Sequence, residues 1–357
     1  MSTTYEPVMA PLGALDGAAP RFEDLKRQAA DAGLLDPRPR YYAWKIPVNL
    51  ALYASGWAAF ALVGNSWLQL LVAVYLGICY VQTGLVGHDL GHLQVTKDLR
   101  IRDGLGYFHG NLLLGFSYGW WVNHHNRHHG NPNHVERDPD IKRRRVIFSI
   151  TQADQPMRKI RKLIIRQQGW AFFPLLLLES LGLRAVSVGV LRRREVPRVG
   201  LEAALICVHV AVYAFVVLST LDLGLAIAFA LVHQCTFGIY SGSIFAPNHK
   251  GMPVRGDEET LDWLERQVTT SRNIRSGRIA DFMYGGLNYQ IEHHVFPTMP
   301  RANLRDVRPI VRRFCEDTGL SYHETSMPGA YLEVVRHMAQ VSRQYRAHTA
   351  PSVVSPT

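Results

Sequence analysis

Four stretches of the chain stay apolar for long enough to cross a lipid bilayer: roughly residues 46–64, 67–86, 201–221 and 223–245. A helix needs about 20 mostly apolar residues to span the hydrocarbon, and each run supplies that or nearly so. No water reaches that layer, so backbone donors and acceptors must be satisfied within the segment, and a helix does this. The link within the first pair is Asn65-Ser66, the link within the second centres on Asp222, and neither carries Lys or Arg. The opposite flanks are dense in them: Arg38, Arg40 and Lys45 before the first run, Arg192, Arg193, Arg194 and Arg198 before the third. Cytoplasmic loops carry the excess of positive charge. The expected fold is therefore an all-α integral membrane protein, four transmembrane helices in two hairpins dipping in from the cytoplasm. Both termini and the long middle segment then lie on that side, as a helical cytosolic cap.

The mean hydropathy of −0.04 hides this segregation. The formal charge of +10 does not point to nucleic acid, because the basic residues flank apolar runs and no nucleic-acid motif is present. A fifth apolar run, about 170–183, is short, contains Glu179 and leads into Arg184, which reads as an interfacial helix. Residues 112–121 are similar, and Trp120 and Trp121 read equally as interface anchors or as the lining of an apolar channel. Of Cys79, Cys207, Cys235 and Cys315, three lie in apolar runs and none forms a CxxC pair, so they read as small buried hydrophobes. The domain reading has three parts. Residues 1–40 are a mostly flexible cytosolic segment without a secretory signal, 41–320 the membrane domain, and 321–357 a cytosolic segment with a disordered end.

Histidine carries the chemistry. His88 and His92 form an HxxxH, His125, His128 and His129 an HxxHH preceded by His124, and Gln290, His293 and His294 a QxxHH. Positions three or four apart share a helix face, so each cluster can aim its side chains at one point. Imidazole suits iron, zinc, copper and nickel. A zinc site takes about three or four protein ligands, so seven imidazoles oversupply one ion and a two-metal site is expected. The second and fourth runs both head toward the cytoplasm. They bring His88, His92 and His249 to the level of the other clusters, just above the membrane surface.

His249 reads as a ligand rather than a helix cap, and Gln290 as an amide ligand, direct or through water, or as a residue that orients His294. His124 is rotated off the face of His125 and reads as a bystander. Asp89 and Glu292, and more weakly Asn126, read as acceptors from ligand imidazoles or as solvent-facing groups. His233, deep in the fourth run, reads as an interhelical hydrogen-bond partner. His109, His134, His209, His323, His337 and His348 lack cluster partners and read as structural or surface residues.

HxxxH, HxxHH and QxxHH, in that order with transmembrane hairpins between, resemble the membrane fatty-acid desaturases. The local sequences His88-Asp89-Leu90-Gly91-His92, Trp120-Trp121 ahead of His125, Phe245-Ala246-Pro247-Asn248-His249-Lys250 and Gln290-Ile291-Glu292-His293-His294 resemble the front-end subgroup. The Gln opening the third box is that subgroup's mark. The resemblance covers roughly residues 41–313. Many eukaryotic members carry a fused cytochrome b5 domain with a His-Pro-Gly-Gly motif. This sequence has none and resembles a bacterial, stand-alone form of the cytoplasmic membrane.

The resemblance implies an oxygen-dependent enzyme with two Fe ions, held by His88, His92, His125, His128, His129, His249, Gln290, His293 and His294, that puts a cis double bond into a fatty acyl chain. An unactivated methylene has no acidic proton and no leaving group, so a redox cofactor must do the work, with O2 as co-substrate. No Gly-rich dinucleotide fingerprint follows a strand, so a separate donor is expected, a ferredoxin or an NAD(P)H-linked reductase. The carrier is open between coenzyme A, a glycerolipid and acyl carrier protein. Arg100, Arg102 and the run from Lys142 to Arg145 can meet phosphates of either coenzyme A or lipid. A related membrane hydroxylase or ketolase would use the same ligands. A metal transporter would place its ligands within the spans, near the midplane.

Overall fold

The computed structural model describes residues 19–142, 145–259 and 261–350. The chain begins with α1 (Ala19–Asp31) and the first hairpin, α2 (Pro39–Val63) and α3 (Gln69–Gly91). Short α4 (Leu99–Tyr107) passes directly into a π-helical segment, Phe108–Leu113, and α5 (Tyr118–Gly130) follows. The single turn α6 (Pro139–Lys142), then α7 (Lys159–Arg166), α8 (Gln168–Leu176) and α9 (Glu179–Arg192) lead to the second hairpin, α10 (Val199–Thr220) and α11 (Leu223–His249). The last third holds α12 (Trp263–Thr269), α13 (Arg278–Tyr284), α14 (Gln290–Val295), α15 (Leu304–Thr318) and α16 (Met327–His348). Among the described residues the only sheet is a parallel pair of two-residue strands, β1 (Asn273–Ile274) and β2 (Glu324–Thr325).

Within the four long helices α2, α3, α10 and α11, stretches of 18 residues reach mean hydropathies of 1.5, 1.8, 2.3 and 1.6. Their outward faces leave Leu62, Leu71, Phe215, Leu218 and Leu231 exposed. So large an apolar surface suits lipid, not water, and the chain is an integral membrane protein. The two uncharged links are tied to each other. Asn65 Nδ2 donates to Asp222 Oδ2 at 2.9 Å, and the Asp222 backbone N–H donates to Asn65 Oδ1 at 3.1 Å. Buried Gln69 closes the first hairpin, donating to the carbonyls of Phe60 (2.7 Å) and Gly64 (2.9 Å).

The second and fourth spans are longer than their apolar runs. The sequence ends them near 86 and 245, whereas α3 continues to Gly91 and α11 to His249. At 1.5 Å per residue these helices, of 23 and 27 residues, measure about 35 and 40 Å, against a hydrocarbon core of about 30 Å. Hydropathy marks where a helix leaves the lipid, not where its hydrogen bonds stop. Pro247 sits in the last turn of α11 and donates no bond to Ser243. Tyr331 on α16 supplies the missing partner, its hydroxyl donating to the Ser243 carbonyl at 3.0 Å.

α3 and α11 pack through Gly77, where an added Cβ would stand 2.7 Å from Thr236 Cβ and 3.1 Å from the His233 carbonyl. The interfacial helix expected at 170–183 is instead two helices, α8 and α9, meeting at 71°. Pro174 removes a helical donor, and the chain turns at Leu177 and Leu178. Gly238 of α11 makes room there, since its added Cβ would lie 2.6 Å from the Leu176 carbonyl oxygen.

The N-terminal segment also differs from expectation. Residues 1–18 lie outside the described residues, but α1 is folded onto the cap. Leu25 and Ala29, one turn apart, are fully buried in the cluster that holds Val307 and Val311 of α15. The C-terminal segment is α16 as far as His348, and the end expected to be disordered, 351–357, lies outside the described residues.

Crowding at Gly77 generates a prediction. Gly77→Val forces the α3–α11 contact apart, an overpacking cost of about 1–3 kcal/mol, and should lower the unfolding temperature in detergent, followed by tryptophan fluorescence. Gly224→Ala, where an added Cβ meets nothing within 4 Å, should leave it in place.

Candidate metal centre

Four elements converge above the membrane: the end of α3 with its cap residue His92, α5, the end of α11, and α14. Ser117 caps α5, its hydroxyl accepting from the Trp120 N–H at 3.1 Å. One ring nitrogen from each of His88, His92, His125 and His293 lies within 4.8 Å of the others. His129 Nε2 stands 3.1 Å from both His125 Nε2 and His293 Nε2. A second group is formed by His128, His249 and His294, again within 4.8 Å, with His128 Nε2 at 3.2 Å from His249 Nε2. The amide nitrogen of Gln290 is 2.9 Å from His249 Nε2. Asn248 occupies the Gln290 amide oxygen, donating to it at 2.9 Å.

Helix geometry divides the boxes between the groups. On α5, His125 and His129 are one turn apart and face the first group, while His128 is rotated toward the second. On α14, adjacent His293 and His294 are about 100° apart and go to different groups, and Gln290 follows His294. The stacked rings of His129 and His294, 4.1 Å apart, join the groups.

Burial, then neighbouring imidazoles, hold His125, His129, His293 and His294 well below the ordinary histidine range. They are neutral rings presenting lone pairs. His128 goes the other way: burial lowers it, but Asp138 and Asp140 outweigh that and raise it. Nε2 of His88, His92 and His294 is buried without a hydrogen-bond partner. Unpaired nitrogens turned toward each other in a water-poor space are costly, and bound cations would satisfy them. The donor set therefore fits metal, and neutral imidazole suits iron and its neighbours.

In the second group the opposite ring nitrogens are tied down. His128 Nδ1 lies 3.1 Å from both oxygens of Asp138. His294 Nδ1 is 2.9 Å from Gln267 Oε1, and His249 Nδ1 is 3.0 Å from the Thr270 carbonyl. Such contacts fix the tautomer and leave Nε2 for the ion. Sequence reasoning missed Asp138, Gln267, Thr270 and Asn248, none of which stands at a helical spacing from a histidine box.

The two box acids behave differently from each other, and neither faces solvent. Asp89 is 3.4 Å from His88 Nδ1, but its shortest bond is from Arg301, at 2.7 Å. Glu292 touches no clustered imidazole. It accepts from Asn273 (2.7 Å) and Tyr322 (2.8 Å), and burial pushes its carboxyl up to about 7. Asn126 is half-buried and belongs to neither group. His124 also stands apart, bonded to Asp140 at 2.8 Å. His233 meets the Tyr213 hydroxyl at 3.0 Å, the interhelical bond expected of it.

A cavity of about 880 Å³ opens onto both groups at His88, His125, His128 and His249. Its walls descend between the spans past Val81, Leu114, Leu183 and Phe237, and its mouth carries Arg127, Lys142 and Arg145. Trp120 and Trp121 line it, and Trp121 stacks on His125 at 4.7 Å. Arg100 and Arg102 do not line it, and Arg143 and Arg144 lie outside the described residues.

The family model for fatty acid desaturases matches residues 65–326. The chain belongs to the fatty acid desaturase family. This desaturase-family chain is 30% identical over 313 residues to an acyl-lipid (9-3)-desaturase of Physcomitrium patens, which covers 85% of this chain and 59% of that protein. It is 32% identical over 345 residues to a delta(5) fatty acid desaturase of Caenorhabditis elegans, covering 90% and 74%. With a delta(8)-fatty-acid desaturase of Arabidopsis thaliana it shares 29% over 345 residues, covering 92% and 76%. The chain spans less than two thirds of the length of its Physcomitrium patens and Borago officinalis relatives.

The contacts behind the imidazoles can be tested by metal content. Asp138→Ala releases His128 Nδ1 and should weaken metal retention about 10- to 100-fold, read by mass spectrometry of protein dialysed against graded chelator. His124→Ala should retain the wild-type amount. Equal loss in both would mean that the whole turn around Asp140, not the orientation of His128, holds the metal.

Proposed function

We propose that this chain is an oxygen-dependent di-iron acyl desaturase with front-end regioselectivity. The observation that carries the reading is that two groups of convergent imidazoles border one largely apolar cavity, which descends between membrane spans from a basic mouth. His88, His92, His125, His129 and His293 would hold one iron. His128, His249 and His294 would hold the other, with Gln290 beside it as an amide that binds directly or through water. Two irons there would supply, from O2, two electrons and two protons, the oxidising power to take two hydrogens from adjacent methylenes, giving a cis double bond and two waters.

The protein's own residues do the rest. Val81, Leu114 and Phe237 take up the methyl-side chain, each buried methylene contributing about 0.8 kcal/mol. The ring of Trp121 fixes the His125 face of the cavity and keeps water from it. Arg127, Lys142 and Arg145 suit the phosphates of a coenzyme A ester or a lipid headgroup, so a polar head group at the mouth would set the distance from carboxyl to iron. Within this sequence no haem or dinucleotide motif supplies electrons, so they come from outside these 357 residues, from a ferredoxin or an NAD(P)H-linked reductase. The basic flanks of the spans support a multi-pass membrane protein with both termini and the active site cytoplasmic.

The purified protein should contain about two irons per chain and convert an acyl substrate to a product lighter by two hydrogens. It should do so only with O2 and an added donor. A product that gains oxygen would make it a hydroxylase. Alanine at His88, His125, His129 or His293 should abolish product while leaving membrane insertion intact. Across substrates lengthened at the methyl end, the new bond should keep its distance from the carboxyl, read by mass spectrometry of double-bond positions. A fixed distance from the methyl end would overturn the head-group ruler.

A further inference from the structure

The acyl cavity ends on an apolar floor, and that floor is backed by a polar layer at mid-membrane depth. The lowest lining residue on α3 is Val81, seven residues before His88, or about 10 Å along the helix. The lowest on α11 is Phe237, twelve residues before His249, or about 18 Å. Leu114, at the end of the π-helical segment, packs in the same buried cluster as Val81 and Phe237, with Leu183 against it.

That π-helical segment dips among the spans, where its last carbonyls find no water. Three consecutive ones are capped by three different helices. His209 Nδ1 of α10 meets the Leu112 oxygen at 3.0 Å, the Tyr53 hydroxyl of α2 donates to Leu113 at 3.0 Å, and Arg184 of α9 donates to Leu114 at 2.9 Å. Arg184 also donates to Gln234 Oε1 at 2.7 Å, and its guanidinium lies 5.8 Å from the Phe237 ring centre. Tyr80 joins from α3, its hydroxyl 3.2 Å from that of Tyr53 and its ring 4.3 Å from that of His233 on α11. Every span thus places a polar residue near its midpoint in one layer directly beneath Leu114 and Phe237.

We infer that this floor sets the longest acyl chain the enzyme accepts, with Phe237, Leu114 and Val81 as specificity-determining residues and Arg184 as the residue that holds the floor in place. The inference rests on the acyl desaturase reading. An apolar chain gains from each methylene it buries until its methyl reaches the floor. To go further it must separate a buried carbonyl from its cap, and an unmet polar group in that environment costs more than one methylene returns. The limit is therefore sharp rather than gradual.

The test is a series of saturated and unsaturated acyl substrates increasing by two carbons, each measured for turnover and, with metal-free protein, for binding by thermal shift. Wild type should show a cutoff, with at least a tenfold drop in both readouts over one or two steps. Phe237→Ala should move the cutoff up by two or more carbons, and Val81→Phe should move it down by as much. Arg184→Met should raise or blur the cutoff, and Arg184→Lys should restore it. Should Phe237→Ala fail to fold, Val81→Phe tests the same floor by filling it. Coincident cutoffs in wild type, Phe237→Ala and Val81→Phe would overturn the inference. Absence of any desaturated product from wild type, with a chain-length cutoff still present in binding, would count against the desaturase reading and not against the floor.

Discussion

A helix longer than the hydrocarbon it crosses must push its last turns out of the lipid, and in this fold two do. α3 and α11 carry His88 and His249 out of the membrane on unbroken helices, so the rigidity of the bundle reaches the histidine cluster without a loop in between. Gly77, where the two helices meet closely, sets their separation. His92 follows at the end of α3, and the remaining imidazoles come from α5 and α14, which belong to the cap. The centre is thus a joint between two bodies, one anchored in lipid and one folded above it.

Several buried contacts lock that joint. Arg301, next to α15, reaches down to the Leu85 carbonyl and to Asp89 on α3. Arg272 is fully buried and donates to the carbonyls of Pro247 (2.7 Å) and Lys250 (2.5 Å) on either side of His249, while pairing with Glu333 of α16. Glu202, at the start of α10, accepts from Ser117 (2.5 Å) and Asn111 (3.0 Å), binding the head of α5 to the third span. Charged groups as deeply buried as these are costly to separate from their partners, so each is a strong constraint on where a histidine-bearing helix can sit.

The number of spans, their pairing and the histidines that the fold brings together were legible in the sequence because both signals are local. Apolarity accumulates over one helix, and ligand spacing repeats within one. What was lost is what acts across the chain. Asp138 and Gln267 reach their imidazoles from separate elements, and nothing in their neighbourhoods marks them. The apolar stripe of α1, essentially Leu25 and Ala29, is too short to stand out beside its charged residues, and it acquires meaning only against α15. The run at 170–183 gave the right composition and the wrong shape, since hydropathy carries no direction and cannot show that Gly238 admits a bend. Glu292, read as a neighbour of its box, turned instead toward Tyr322, because on a one-and-a-half-turn helix that also carries two clustered histidines its side chain is left facing the cap.

If the apolar floor bounds an acyl chain as inferred, it has a kinetic meaning. A sleeve that is shut at one end is single-file: whatever goes in must back out along the same wall before its successor arrives. In the proposed reaction the product would differ from the substrate by one bend and fill nearly the same space, so it would hold the doorway as well as the substrate does. Turnover in such a site is governed by traffic as much as by chemistry. A membrane in which product is promptly drawn off into other lipids would keep the sleeve clear, and one in which it lingers would choke it.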